Sequence, residues 1–515
     1  DAREGEVVTI DSGAPAVTIP TMTIDHWRAS RDEVLGYFAQ SHALTMDRFR
    51  GADLYPAIDA PTFNQHGGAV PTGFQLQITN NETTGTIYYT LDGSDPRAVG
   101  GAVADSAIAY TGPITLTESH TLITRLFHNG VWSARVEAEF LVGLLADATN
   151  LRITEINYHP HAATTQFGEL DVDSDQFEFI ELMNVSSTEI NLIQTSFGDG
   201  IDYTFDEVIL APDARIVVVR NEAAFASRYG TGLPIAGEFA NETGLSNSGE
   251  TIQLVDAFGG TILEFAYDDG GRADGLGSAL EVLHTDGDYN ANSNWQASTA
   301  FGGTPGTEPI DTVDILINEV AAHTDLPQLD SIELYNISTA EVDLGSWWLS
   351  DAANNYFKYQ FPAMTTMAAG NYLVLNEHDF NTGGLTNPVP FALDSAGDQI
   401  WLLAADSTGR PLRFADMVSF DATLNGITLG RIPNGDPTMD LFPLAASSLG
   451  MANGPHLAGS LILSELHYHP AAPPAGVTIT EQELEFVELY NRSNQALVLH
   501  DSSLGGWRLR GGQGL

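Results

Sequence analysis

Three segments of this chain repeat one pattern. Residues 151–184 open LRITEINYHP and close FEFIELMN; residues 315–336 open ILINEV and close SIELYN; residues 461–491 open LILSELHYHP and close LEFVELYN. Each is an apolar strand carrying one Glu, a polar loop of variable length, and a strand ending Glu-Leu-x-Asn. Self-similarity of this kind marks an array of like modules. Copies one and two stay alignable far beyond the opening. INL at Ile190 matches VDL at Val342, and LVL at Leu497 in copy three. Phe197 stands where Trp347 and Trp348 stand, and Trp507 in copy three. NEAAF at Asn221 matches NEHDF at Asn376, and LSNSGETIQL matches LDSAGDQIWL. Short alternating strands between Gly, Asp and Asn turns predict β-sandwiches of about 150 residues. Gly- and Pro-rich boundaries fall at 302–309 and 451–459.

Two further regions precede the repeats. Residues 26–50 predict a helix with an apolar stripe at Val34, Leu35, Phe38, Leu44 and Phe49, an N-cap at Ser30 and a capping-box partner at Glu33. Residues 60 to about 142 alternate as short strands and predict a smaller β-sandwich, with a hairpin turn at His128-Asn129-Gly130. The expected organisation is a helical tail and linker (1–59), a sandwich (60–145), and three repeat modules (150–308, 313–452 and a partial 460–515). The fold class is all-β: tandem β-sandwiches with a short N-terminal helical segment, which the resemblance given below makes immunoglobulin-like.

Charge narrows the function. Asp+Glu total 68 against Lys+Arg 20, a net charge of -48, and Lys358 is the single lysine. A nucleic-acid backbone needs clustered cations, so nucleic acid is excluded as a partner. No run of about 18 apolar residues suits a membrane span. Absent cysteine removes disulfides, thiolate metal sites and thiol nucleophiles, and in a large β-rich chain fits an extracellular bacterial setting. A start at Asp1 and a stop inside copy three read as a fragment of a longer protein.

The recurring polar residues are the chemical candidates. Glu155, Glu319 and Glu465 share one place, and Glu181, Glu333 and Glu488 another. Paired carboxylates can act as acid and base, but recurrence beside strand apolars favours a structural role, accepting backbone N–H bonds under a loop. Asn184, Asn336 and Asn491 end the second strand. Each opens an N-x-Ser sequon, and each is read as a turn-former. His159/His161 and His467/His469 form H-x-H pairs without a completing carboxylate, whereas copy two offers only His323. Asp171, Asp173 and Asp175 alternate in the loop of copy one and are the expected cation ligands, with calcium favoured by oxygen-only donors. No cofactor is required, and no nucleophile elbow, zinc motif or nucleotide loop is present.

The EFIEL-x-N strand, with the later APDARIVVV and LSNSGETIQLVD, resembles the lamin-tail domain family, an immunoglobulin-like sandwich. GTIYYTLDGSDP followed by Y-x-GPI resembles the C-terminal sandwich of chitobiases and β-hexosaminidases. VLGYFAQ through DRFRGADLYPAIDAPTFNQHGG resembles the end of a CotH-type kinase-like region. That order resembles large exported proteins of planctomycete-like bacteria, although no ATP-binding lysine or metal-binding aspartate of a kinase core can be matched.

These readings together imply a non-catalytic, multi-module segment of a secreted or cell-surface protein, a spacer, adhesion or binding scaffold. Its partner would be extracellular polysaccharide or protein. One alternative is a substrate-binding accessory of an exported kinase or hydrolase; another is a calcium-dependent adhesion array. The sequence leaves the oligomeric state open.

Overall fold

A computed structural model describes residues 8–10, 17–19, 24–383, 388–432, 440–457, 459–468, 470–471, 473, 479–480, 482–501 and 505–506. Strands dominate it, and helix α1 (Ile24–Gly51) is the one long helix among the described residues. Two compact units emerge: Asp1–Arg152 with Leu182–Ile216 and Thr251–Phe265, and Ile153–Glu181 with Val217–Glu250 and Ala266–Leu515. The division runs through copy one.

In the first unit, α1 starts six residues before Ser30, so Ser30 and Glu33 are interior and cap nothing. The expected stripe residues Val34, Leu35, Phe38, Leu44 and Phe49 are all exposed. The small sandwich follows. Its main sheet runs β1 (Gly68–Val70), β4 (Val136–Val142), β3 (His120–His128), β2 (Thr86–Thr90), with Ile108–Ala109 at the far edge. Leu76, Leu116, Leu122, Leu126 and Phe140 fill its core. After β3 the chain reverses on Asn129 and Gly130, both at positive φ (48° and 79°), so that His128 pairs Val131. Asn-Gly suits this two-residue turn because both positions need left-handed backbone.

In copy one, β5 (Leu151–Asn157), β6 (Phe179–Asn184), β7 (Arg215–Val219) and β8 (Leu280–Val282) build the larger sheet in the order Ile235–Glu238, β7, β6, β5, β8, Trp295–Ala297. Helix α2 (Glu222–Tyr229) follows β7. Asn221 caps it, its side chain accepting from Ala224 N. Phe179, Val217, Val219 and Phe225 pack together beneath it.

Copy two repeats the plan within the second unit. Strands β9 (Ile315–Ala321), β10 (Ser331–Asn336), β11 (Tyr372–Asn376) and β14 (Leu429–Arg431) order as β11, β10, β9, β14, Leu441–Pro443. The second sheet joins Trp348–Ser350 to the long hairpin β12 (Gly397–Ala405) and β13 (Pro411–Asp421). Ile315, Ile317, Ile332 and Leu334 of the first sheet meet Leu349, Ile400, Leu402 and Val418 of the second in one core. Both faces thus contribute inward residues at alternate positions. Helix α3 (Glu377–Phe380) takes the place of α2, capped by Asn376 with Asp379 completing a capping box.

Copy three shows the opening hairpin, β15 (Leu461–His467) and β16 (Phe486–Asn491). Its register equals that of copy two: Glu465 opposes Glu488 as Glu319 opposes Glu333, and the register shifts at Ser464 and Asn318 alike. Among the described residues, Leu463, Leu466, Val487 and Leu489 are exposed there, whereas the β9 and β10 core positions are buried.

Candidate functional site

The recurring carboxylates converge on one construction. A register shift at Asn318 turns that residue so that its Nδ2 donates to Glu333 Oε1 at 2.7 Å. Thr154 donates to Glu181 Oε1 at 2.5 Å, and Ser464 to Glu488 Oε1 at 2.7 Å. The residue before the first Glu therefore fastens the second Glu in all three copies. That residue was not singled out in the sequence; its signal is a small hydrogen-bonding side chain (Thr, Asn or Ser) at every copy.

The remaining oxygens hold the chain as it leaves the module. Thr304 N donates to Glu155 Oε1 at 2.9 Å, and Gly306 N to Glu181 Oε2 at 2.6 Å. Ser448 N donates to Glu319 Oε1 at 2.9 Å, Ser448 Oγ to Glu319 Oε2 at 2.6 Å, and Gly450 N to Glu333 Oε2. A Thr/Ser-x-Gly strap is thus buckled to a Glu pair in both complete copies. Gly306 and Gly450 sit at φ 78° and 86°, which glycine adopts without the clash of a Cβ. Glu155 and Glu181 are 2% exposed, Glu319 and Glu333 0%. Side chains so enclosed and so engaged have neither solvent nor room for substrate.

Copy one adds a third carboxylate, Glu281, opposite Glu155 where copy two has Gly430 opposite Glu319. Burial first, then Glu181 and Glu281, push the Glu155 carboxyl well above its ordinary 4.5, against the pull of the Thr304 N–H. Burial likewise raises Glu281 and Glu333. Close carboxylates that cannot all ionise retain a proton between them. The native state then holds a proton that the unfolded chain releases near pH 4.5. That stabilisation is full below pH 4.5 and declines as pH rises towards the folded value of Glu155. Glu155→Gln keeps an acceptor for Thr304 without the charge. Its stability relative to the parent is expected to grow as pH rises from 5 to 8, each unit of displaced pKa counting about 1.4 kcal/mol. Denaturant midpoints across that range check it, and a pH-independent difference would contradict it.

The three asparagines form one turn. Asn184 Nδ2 donates to Thr188 O and Leu210 O, both at 2.8 Å, while Ser186 N and Oγ donate to its Oδ1. Asn336 repeats this with Ala340 O, Met367 O and Ser338. Asn491 makes the local half, to Gln495 O and from Ser493. The sequon serine is thus part of the turn, and Asn184 and Asn336 are buried.

The other candidates are not gathered into a site. Asp171 and Asp173 are exposed. Asp173 accepts from Asp175 N, and Asp175 lies 3.6 Å from Arg220 and 3.4 Å from Asn247 Nδ2. Two of the three expected calcium ligands, Asp173 and Asp175, are therefore engaged by a turn and by Arg220 and Asn247. Among the described residues no group of three His, Asp or Glu side chains is placed to hold a metal. His159 Nδ1 lies 2.6 Å from Asp274 Oδ1, while His161 Nδ1 donates to Ala162 O at 2.7 Å. His323 contacts Thr423 O and His467 packs on Phe486; His469 and Trp507 lie outside the described residues. Phe197 is buried, Trp347 belongs to the core of copy two, and Trp348 to an aromatic cluster with Tyr356, Trp401 and Phe414.

That cluster reaches copy one. Phe301 lies 5.7 Å from Phe414 and 5.9 Å from Tyr356, Arg272 stands over the Phe414 ring at 4.6 Å, and Tyr356 Oη donates to Leu276 O at 2.7 Å. The backbones also join: Phe414 N donates to Thr299 O and Phe301 N to Leu412 O.

The architecture defines an all-β chain of tandem immunoglobulin-like sandwich domains. Residues 146–269 and 308–419 match the Lamin Tail Domain family, and residues 65–136 match the Chitobiase/beta-hexosaminidase C-terminal domain. No curated protein matches the chain. Among solved structures, it is similar to a Bacteroides ovatus mixed-linkage glucan utilization locus protein, SGBP-B, in complex with a mixed-linkage heptasaccharide (12% identity, 74% of each chain, TM-score 0.11). It is also similar to the N-terminal four Ig domains of Dscam1 isoform 1.9 (8% identity, 72% of this chain and 100% of that one, TM-score 0.11). TM-scores this low carry no functional weight.

Proposed function

We propose that this chain is a non-catalytic, multi-module segment of a secreted or cell-surface bacterial protein, serving as a spacer and binding scaffold. The observation that supports this reading is the fate of the recurring carboxylates. Copies one and two enclose them and commit their oxygens to the outgoing strap. The purified 515-residue chain should turn over neither ATP, glycosides nor phosphodiesters. Turnover lost in Glu155→Gln or Glu181→Gln would overturn the reading.

A second reading, as the polysaccharide-binding accessory of an exported enzyme, is favoured by one cleft of copy one. About 230 Å³ in volume, it is lined by Tyr267, Asp268, Asp269, Asn292, Trp295 and Gln296. An aromatic ring beside amides and carboxylates is suited to stacking on a sugar and bonding its hydroxyls. In the same preparation, gel retardation by soluble β-glucan or xylan that Trp295→Ala abolishes would favour this second reading. Unretarded migration would leave the spacer role alone.

A further inference from the structure

Copy one contains a cationic cavity that none of the roles above uses. Arg228, on the last turn of α2, is almost wholly enclosed, its side chain 3% exposed. Its guanidinium is divided among fixed partners. Nε and Nη2 donate to the two oxygens of Glu169 at 3.2 and 3.0 Å, and Nη2 also donates to His161 O at 3.0 Å. The face of the group lies on Phe177, 3.6 Å from the ring centre. Nη1 is buried and has no hydrogen-bond partner. An enclosed charged donor without an acceptor is costly, and native structures supply one from protein, water or ligand.

Beside it is a cavity of about 160 Å³, lined by Arg228, His161, Thr164, Glu169 and Phe301 of copy one and by Arg410 to Leu412 of copy two. At about 30 Å³ per water, it has room for a molecule of a few heavy atoms. Its charge is uneven. Glu169 cancels Arg228 and also accepts from Thr164 N at 2.7 Å, so its oxygens are occupied. Arg410 donates to the Arg228 carbonyl and forms no ion pair among the described residues; the Asp406 carboxylate accepts from its backbone N–H at 3.1 Å and interacts with its guanidinium only at longer range. The His161 ring is neutral: burial, then Arg228, lower its pKa to about 3. Within the cavity lining, Arg410 is thus the one cation without a facing carboxylate, beside one orphan guanidinium donor.

We propose that this cavity binds a small monocarboxylate. The ligand's single negative charge would pair with Arg410, whose guanidinium has no ion-pair partner among the described residues, and a carboxylate oxygen would supply the acceptor that Arg228 Nη1 lacks. Guanidinium groups are suited to this because their planar donors match a carboxylate's two oxygens. A dianion is disfavoured by Glu169 at the same wall and by the net charge of -48. Because copy two contributes Arg410, occupancy would also tie the second module to the first.

The test uses the full 515-residue chain with formate, acetate or inorganic phosphate, each against chloride at matched ionic strength. Acetate should raise the unfolding temperature saturably with a millimolar midpoint, and ¹³C-acetate resonances should broaden on adding protein. Arg410→Gln leaves the buried pair with Glu169 in place and should weaken the midpoint at least tenfold. Arg413→Gln is the control from β13, which begins just after Arg410; its side chain bonds Asp311 O outside the cavity, and it should leave the midpoint unchanged. Phosphate should act at least tenfold more weakly than acetate. An acetate response no larger than chloride's, one that both variants share, or a high-resolution structure in acetate with water alone on Arg228 Nη1, would overturn the proposal.

Discussion

Phe414→Ala should uncouple the two complete repeat modules. The ring is 2% exposed and stands where Phe301 of copy one, Tyr356 and Trp401 of copy two, and the Arg272 guanidinium converge. Truncating an enclosed phenylalanine costs about 3–5 kcal/mol, part of it for the cavity left behind. Here the cavity opens at the junction, so copy two loses core packing and the junction loses its central ring. Calorimetry should show the transition of copy two falling by on the order of 10 °C and separating from that of copy one. A single transition at the parental temperature would mean that the modules are held by the backbone bridges between Thr299–Phe301 and Leu412–Phe414 instead.

The junction was hidden in the sequence for a physical reason. Residues 302–309 read as a module boundary because Gly, Gly, Pro and Gly crowd there, and a boundary is expected to touch little. In the folded chain the same residues are bonded down by Glu155 and Glu181, and the preceding Phe301 enters the neighbouring module's aromatic cluster. Nothing in local composition distinguishes a glycine-rich strap from a glycine-rich tether. The Trp347-Trp348 pair shows the same limit. Alternation along a strand places one ring in the core of copy two, but only the tertiary arrangement turns the other into the aromatic cluster that Phe301 joins.

Periodicity and repetition carried the sandwich class and the strand–loop–strand form of each opening hairpin, because those depend on residues close in sequence. The Asn-x-Ser turn was legible for the same reason, since it closes within five residues. The Asp171, Asp173 and Asp175 spacing was legible too, but not the surroundings of its last member. Carboxylate spacing does not reveal that Arg220 and Asn247, some 45 and 72 residues after Asp175, already face it. The cap assigned to Ser30 failed because α1 continues through it, with no buried face among its described side chains to set where the helix begins.

The buckle yields the last expectation. In Glu319→Ala, Ser448 N–H and Ser448 Oγ lose their acceptor inside copy two, and Ser447 Oγ loses its 3.2 Å contact. Stranding buried donors costs about 1–3 kcal/mol each, so copy two should be destabilised by about 3–4 kcal/mol, with Glu319→Gln retaining an oxygen and losing roughly half as much. The local signature separates this from a general loss of stability. Hydrogen exchange at the Ser448 and Gly450 amides should accelerate more than at core strand β10, because the strap is released from one side before the sandwich opens. Thr304 and Gly306, buckled by their own pair in copy one, should keep their protection. If Ser448 instead exchanges at the parental rate in Glu319→Ala, the carboxylate is a bystander and the strap is held by Asn453, which bonds both Asn318 and the Arg431 carbonyl. The recurrence of a Glu pair in every copy would then need another cause, since like charges set opposite one another on adjacent strands repel and persist only where something as strong as a backbone N–H answers each of them.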